Sequence, residues 1–251
     1  MKTFKIIANY FSYIRHECWK AIEREYPEKK DKYAIVKDLI MKSLRNGYII
    51  LDVGCGHRSF TYESHNVIQI GMDLVFDDLR KNKSINFGIC ADVYRLPFKN
   101  ESFDIIICNM VFEHLQEPEV AFAELSRVLK QRGYLIFMTP CIYNIVTIIS
   151  RILPNYFHKK LAELLKVANE SDIFPAFYKA NSIKKIRKML HRNNFIERDI
   201  IMYQPPPYAF VFSKIICKLV IRYYRIINKY NCLGFLRGVI IARYQKILIH
   251  E

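Results

Sequence analysis

Two glycines one residue apart, Gly54 and Gly56, follow directly on the apolar run Ile49-Ile50-Leu51-Asp52-Val53. An apolar run that ends on an acid and opens into glycines reads as a buried parallel strand and a tight turn, where backbone approaches a ligand closely. An open α/β sheet makes room for a nucleotide in this way, at the carboxyl end of its first strand. A second acid, Asp73, closes the next strand-like run. It lies about 20 residues beyond the glycines, where a carboxylate can accept hydrogen bonds from both ribose hydroxyls. A dinucleotide site is the competing reading, but Gly54-x-Gly56-x-x-Ser59 lacks the third glycine that such a site uses for helix–strand packing.

Strands must carry these groups. Runs at 49–53, 67–73, 86–90, 102–109 and 133–140 read as five strands, and a helix is expected over 117–130. Strands alternating with helices predict a doubly wound α/β sheet. A sixth strand is expected at 195–203, after a helix capped by Ser182, and a seventh at 238–244. Residues 1–47 read as an N-terminal helical cap broken near Pro27, with Phe4, Ile7, Phe11, Ile14, Cys18 and Ile22 on one stripe. Residues 48–251 read as one domain with two insertions. The first, about 141–181, contains an apolar run at 142–153 and a helix expected at 156–167, and reads as a lid at the carboxyl edge of the sheet. The second spans about 204–236.

Taken in order, Leu51-Asp52-Val53-Gly54-Cys55-Gly56, Asp73, Ala91-Asp92 with Leu96-Pro97-Phe98, Phe103-Asp104, Glu113-His114-Leu115, Leu129-Lys130 and Gly133-Tyr134-Leu135 form a connected set. The set resembles the class I S-adenosyl-L-methionine (SAM) dependent methyltransferases, most of all the small-molecule branch known as methyltransferase type 11. The resemblance covers 48–140 well, and 182–203 and 238–246 more weakly. It implies a Rossmann-like, mostly parallel seven-stranded sheet whose last strand is the antiparallel edge strand, with SAM as cofactor. By resemblance Asp52, Gly54, Gly56, Asp73 and Asp92 contact the cofactor, Asp92 at the adenine amino group, and Asn109 at the end of the fourth strand joins them. Arg58 stands where this family often has another glycine. It either crowds the cofactor's carboxylate end or pairs with it.

Methyl transfer from a sulfonium needs alignment above all. A hydroxyl acceptor gains from a general base, and His114 and Glu113, just after the fourth strand, are the catalytic candidates. Tyr178 and Asn181, beside the Ser182 cap, are candidates for orienting a substrate. Each could equally be a packing or capping residue.

The chain has 251 residues, 51% hydrophobic and 25% charged, with a net charge of +15. Residues 200–250 carry eight Lys/Arg and no acid. Within them, Lys214, Lys218, Arg222 and Arg225 are spaced to share one face of a basic amphipathic helix expected over 208–229. Such a helix suits peripheral contact with an anionic membrane. With the 142–153 run it could form a greasy lid suited to a lipid-linked or other small-molecule acceptor, O-methylated by preference. Seven cysteines without paired spacing read as buried apolar residues in a reducing compartment, and no metal site is expected. No signal peptide or membrane span is read, so the expected location is cytoplasmic, peripheral at the inner membrane surface. An RNA methyltransferase, permitted by the charge but lacking an RNA-binding module, and a non-catalytic scaffold are the alternatives. Pro205-Pro206-Pro207-Tyr208 lies too far from the fourth strand to act as an amino-group methylation motif, and reads as a linker.

Overall fold

A computed structural model describes residues 2–27, 31–62, 65–152 and 174–247, without the side chains of 2–9 and 11. The helix expected at 156–167 lies outside the described residues. Seven strands form one sheet: β1 (Ile49–Val53), β2 (Ile68–Asp73), β3 (Phe87–Cys90), β4 (Phe103–Asn109), β5 (Leu129–Pro140), β6 (Phe195–Tyr203) and β7 (Val239–Lys246). Their spatial order is β3-β2-β1-β4-β5-β7-β6, with β7 antiparallel to both neighbours. The mostly parallel seven-stranded α/β sheet is therefore as expected, but β7, expected at the edge, lies inside the sheet and β6 forms the edge. The order reverses between β1 and β4, and the carboxyl ends of those two strands flank the crevice where open α/β sheets bind ligands.

The alternation with helices is less regular than expected. Helices are α1 (Lys2–Glu25), α2 (Lys32–Met41), α3 (Phe76–Lys81), α4 (Pro118–Val128), α5 (Ile145–Ile152), α6 (Ile183–Arg192) and α7 (Lys214–Lys229). Between β1 and β2 the described residues form only turns and extended chain. The segment His57-Arg58-Ser59-Phe60-Thr61-Tyr62 mixes polar, β-branched and aromatic residues that favour other backbone conformations over a helix. Tyr62, buried, and Phe60 cover the sheet there instead. No helix connects β3 to β4 either.

Several motif residues turn out to staple the sheet. Asp104 accepts both the Ile49 N–H, at 2.9 Å, and the Lys130 ammonium, at 2.9 Å to each oxygen. Arg127 on α4 grips Glu124 and donates to the carbonyls of Leu96 and Phe98, pinning the Leu96-Pro97-Phe98 turn. Strand β5 starts at Leu129, four residues before the expected glycine, with an irregularity opposite Phe103 and Ile105.

The N-terminal helices divide their work. On α2, Val36, Leu39 and Ile40 pack on the sheet face formed by Ile50, Ile105, Ile107 and Ile136. On α1, Ile14, Cys18 and Ile22 meet Val211, Cys217 and Ile221 around α7. The α1 stripe thus packs on the C-terminal insertion and leaves the sheet to α2.

Candidate active site

Gly54 and Gly56 have φ of +66° and +52°. A Cβ on Gly54 would stand 2.6 Å from Val111 Cγ2, whereas one on Gly56 would meet nothing within 4 Å. The turn is therefore closed on one side and open on the other. The open side faces a cavity of about 490 Å³ lined by Tyr33, Asp52, Arg58, Ser59, Asn109 and Met110, besides the turn itself.

The polar groups around this cavity have unequal environments. Asp52 is buried, and burial, reinforced by the charge of Asp73, pushes its carboxyl up to about 7 against the pull of Ser59 and Gln69. Asn109 Oδ1 is buried with no hydrogen-bond partner. Arg58 is exposed and has no ion pair with a described residue. Asp73 accepts the Gly56 N–H at 2.8 Å on one oxygen and the Val75 N–H at 2.9 Å on the other. It thus ties the end of β2 to the glycine turn and keeps lone pairs over, since an ionised carboxylate offers about four acceptor sites. Beside it, Leu74 is 62% exposed. Asp92 is exposed and accepts the Tyr94 N–H at 3.0 Å, capping its own turn next to Asp73.

Just after β4, outside the lining of this cavity, Glu113 and His114 meet the segment from Phe174 to Asn181. Glu113 is buried, and burial raises its carboxyl above the ordinary range. Thr139 Oγ1 donates to Glu113 Oε2 at 3.0 Å, and Asn181 Nδ2 donates to Thr139 Oγ1 at 2.7 Å and to the Pro140 carbonyl at 3.1 Å. The Glu113 carbonyl accepts the N–H groups of Phe177 and Tyr178 at 2.7 and 3.1 Å. Asn181 is wholly buried, so its side chain holds the wall. Tyr178 has a φ of +53° and is only partly buried. His114 Nδ1 lies 2.8 Å from the Pro175 carbonyl. Because a carbonyl only accepts, that nitrogen carries the proton in neutral His114, leaving the Nε2 lone pair free. The exposed Phe174 ring packs edge-on to the His114 ring, with centroids 6.0 Å apart, and Phe177 is exposed three residues further along.

Asp52, Gly54, Gly56 and Asn109 thus line one cavity; Asp73 is tied to it through the Gly56 N–H, whereas Asp92, Glu113, His114, Tyr178 and Asn181 lie outside its lining. Sequence reasoning missed Tyr33, which α2 brings to the cavity, and Lys32 beside it. The Lys32 ammonium is pushed down mainly by burial and feels the Glu113 charge. Nothing local marks these two residues, since a long-range packing of α2 delivers them.

The residues present fit a cationic adenosyl cofactor. An unpartnered carbonyl oxygen and a buried carboxyl face the cavity from β4 and β1, an unpaired guanidinium stands at its mouth, and a carboxylate with lone pairs over closes β2. Residues 51–137 match the family described as a methyltransferase domain. The chain is 31% identical over 166 residues to an uncharacterised protein of Methanocaldococcus jannaschii, covering 62% of this chain and 66% of that protein. It is 33% identical over 108 residues to the malonyl-[acyl-carrier protein] O-methyltransferase of a Methylovorus species, covering 36% of each. The chain spans less than two thirds of the length of these curated relatives. In fold it is similar to the geranyl diphosphate C-methyltransferase of Streptomyces coelicolor, solved with S-adenosyl-L-homocysteine, at a TM-score of 0.55 and 15% identity. That comparison covers 86% of this chain and 79% of the other. The fold and the matched core are those of a Rossmann-like methyltransferase. Residues 51–137 are a methyltransferase domain, and the match, the methyltransferase relatives and the fold support a class I SAM-dependent methyltransferase with SAM as its cofactor.

Among the described residues, no helix is long and apolar enough to cross a membrane. No cluster of His, Cys, Asp or Glu there could hold a metal ion.

Proposed function

We propose that this chain methylates a small apolar or lipid-linked acceptor, by preference at oxygen, in the cytoplasm at the inner membrane surface. The observation that carries the methyl-transfer reading is the glycine turn opening on a cavity that also holds the buried Asp52 and the unpartnered Asn109 Oδ1. The 33% identity to a malonyl-[acyl-carrier protein] O-methyltransferase supports oxygen as the acceptor atom. The exposed Phe174 and Phe177 beside His114 support an apolar acceptor.

SAM, when bound, supplies an activated methyl group. Asp73 would hold the ribose hydroxyls, Leu74 would offer an apolar face to the base, and Asp92 would take the adenine amino group. Asn109 Oδ1 and the Asp52 carboxylate would face the cationic methionine end, with Arg58 on its carboxylate. An anion in this position commonly meets a helix N-terminus after the first strand. This chain has no helix among the described residues there, and Arg58 supplies the positive charge. His114 Nε2 takes the proton of a hydroxyl acceptor, an effect worth about 10²–10⁴ in rate. Glu113 accepts from Thr139 through its side chain and from the 177–178 backbone through its carbonyl, so that the acceptor wall keeps its shape.

Calorimetric titration with SAM and with S-adenosyl-L-homocysteine tests this reading. Micromolar binding that disappears in Asp73→Ala is the expected result, followed by transfer of labelled methyl into a membrane extract that His114→Gln slows without changing SAM affinity. A folded protein that binds neither ligand would overturn the enzyme and leave a binding scaffold.

A further inference from the structure

Helix α7 buries only one of its faces. Cys217, Val220, Ile221, Tyr224 and Ile227 pack inward against α1 and the 210–236 segment. A second apolar row, Ile215, Leu219 and Ile226, is 74%, 57% and 50% exposed. Spacings of four and seven residues put these three side chains in one line along the helix. Next to that line runs a row of exposed cations, Lys218, Arg222 and Lys229, at the same spacings. The other two cations of the helix are engaged with α1. Arg225 forks onto Glu25 at 2.6 and 2.8 Å, and Lys214 reaches Glu17 at 3.7 Å. No described acid lies within ion-pair reach of the Lys218 row, and residues 200–250 contain no acid at all. At the N-terminal end of the helix the exposed Tyr208 ring stands 4.6 Å from that of Trp19 on α1, with Phe212 also exposed.

An apolar ridge beside a row of exposed cations, with an aromatic pair at one end, is the arrangement of a helix that lies in a bilayer interface. The ridge enters the acyl boundary while the cations reach headgroup phosphates. We infer that the Ile215–Leu219–Ile226 face of α7 is a docking surface for an anionic lipid bilayer. Charge complementarity selects this occupant, since a neutral bilayer offers the cation row nothing. The α7 residues do not line the glycine-turn cavity. The surface therefore holds the enzyme at the membrane without forming its site, and the inference stands apart from the methyl-transfer reading.

The full chain is floated with vesicles of phosphatidylcholine alone and of an equimolar mixture of phosphatidylcholine and phosphatidylglycerol. Trp19 is the only tryptophan, so its emission reports docking directly. The expected result is flotation and a blue shift with the anionic vesicles only. Leu219→Ser with Ile226→Ser is expected to weaken binding about tenfold or more. Lys218→Gln with Arg222→Gln is expected to weaken it about fivefold per cation and flatten its salt dependence. All four positions are exposed, and an unchanged melting temperature verifies the fold. Wild-type protein that ignores both vesicle types overturns the inference. So does an apolar variant that floats as well as wild type, which marks a general polyanion surface. Self-association in the absence of vesicles that the apolar variant abolishes also overturns it, in favour of a second copy of the chain.

Discussion

In the cavity beside the glycine turn the polar groups face open space, while around Glu113, Thr139 and Asn181 they bond to one another. Asn109 Oδ1 lacks a partner and Arg58 pairs with no described acid. Outside that cavity, Asn181 donates to Thr139 and Thr139 donates to Glu113, with Asn181 Oδ1 left as one buried atom without a partner. The first side is built to receive a ligand of fixed chemistry. The second is a rigid frame on which the variable parts, Phe174 to Tyr178, are hung. Cofactor recognition and acceptor shape are thus separated in the molecule, and each should be damageable without the other.

The largest effect is expected at Gly54. Alanine there meets both a left-handed backbone and a contact 2.6 Å from Val111. Strain and overpacking together cost about 3 kcal/mol. Chemical denaturation of Gly54→Ala should show that loss together with abolished SAM binding. Thr139→Val probes the other side. It removes the hydroxyl between two buried partners and should cost about 2 kcal/mol. SAM affinity should stay within about twofold, because the Asn109 wall is untouched. A Thr139→Val protein that loses SAM binding in proportion to stability would merge the two sides into one unit.

The same division explains what the sequence disclosed. Asp52, Gly54, Gly56 and Asp73 are read from local pattern because backbone geometry and strand alternation dictate their types within a few residues. The seven strands were legible too, but not the place of the last, which was expected at the edge of the sheet and lies between β5 and β6. Three further things were not legible. The missing helix after β1 was hidden by a motif that usually opens one, and only the run of polar and aromatic residues from His57 to Tyr62 hinted at it. Tyr33 and Lys32 arrive through α2 packing on Ile50 and Ile105, a contact no local pattern encodes. The wide apolar surface of α7 suggested a lid, but the site cavity contains none of its residues. That surface is divided between a face packed on α1 and a face turned to solvent.

Arg58 sharpens the comparison from the cofactor side. If its guanidinium replaces a helix N-terminus, Arg58→Ala should weaken SAM about tenfold, the size of a charge-assisted hydrogen bond. It should leave decarboxylated SAM unaffected. Lysine at the same position should restore part of the loss, since it keeps the charge without the fork. Equal losses for both ligands in titration calorimetry would make Arg58 a contributor to the shape of the turn only.

The smallest effect near neutrality is a pH dependence centred on Asp52. Its carboxyl sits at about 7 against an ordinary value of 3.8, chiefly because it is buried. The folded protein therefore binds more protons than the unfolded chain between those values. Stability of the free protein should fall as pH rises from about 4 to about 7, then level off. Ligand binding should run the other way. A cationic cofactor prefers the ionised carboxylate, so SAM affinity should rise with pH up to about 7, and below that fall by as much as tenfold per pH unit. Calorimetry in buffers of different ionisation heat should then detect proton release on binding near pH 6. Asp52→Asn, which keeps the shape and cannot ionise, should flatten both slopes and stabilise the free protein at pH 8. Opposite slopes in stability and affinity would show that this acid is held in its costly neutral-to-ionised balance for the ligand. Parallel slopes, or slopes that survive in Asp52→Asn, would transfer the effect to another group and remove Asp52 from the receiving side of the cleft.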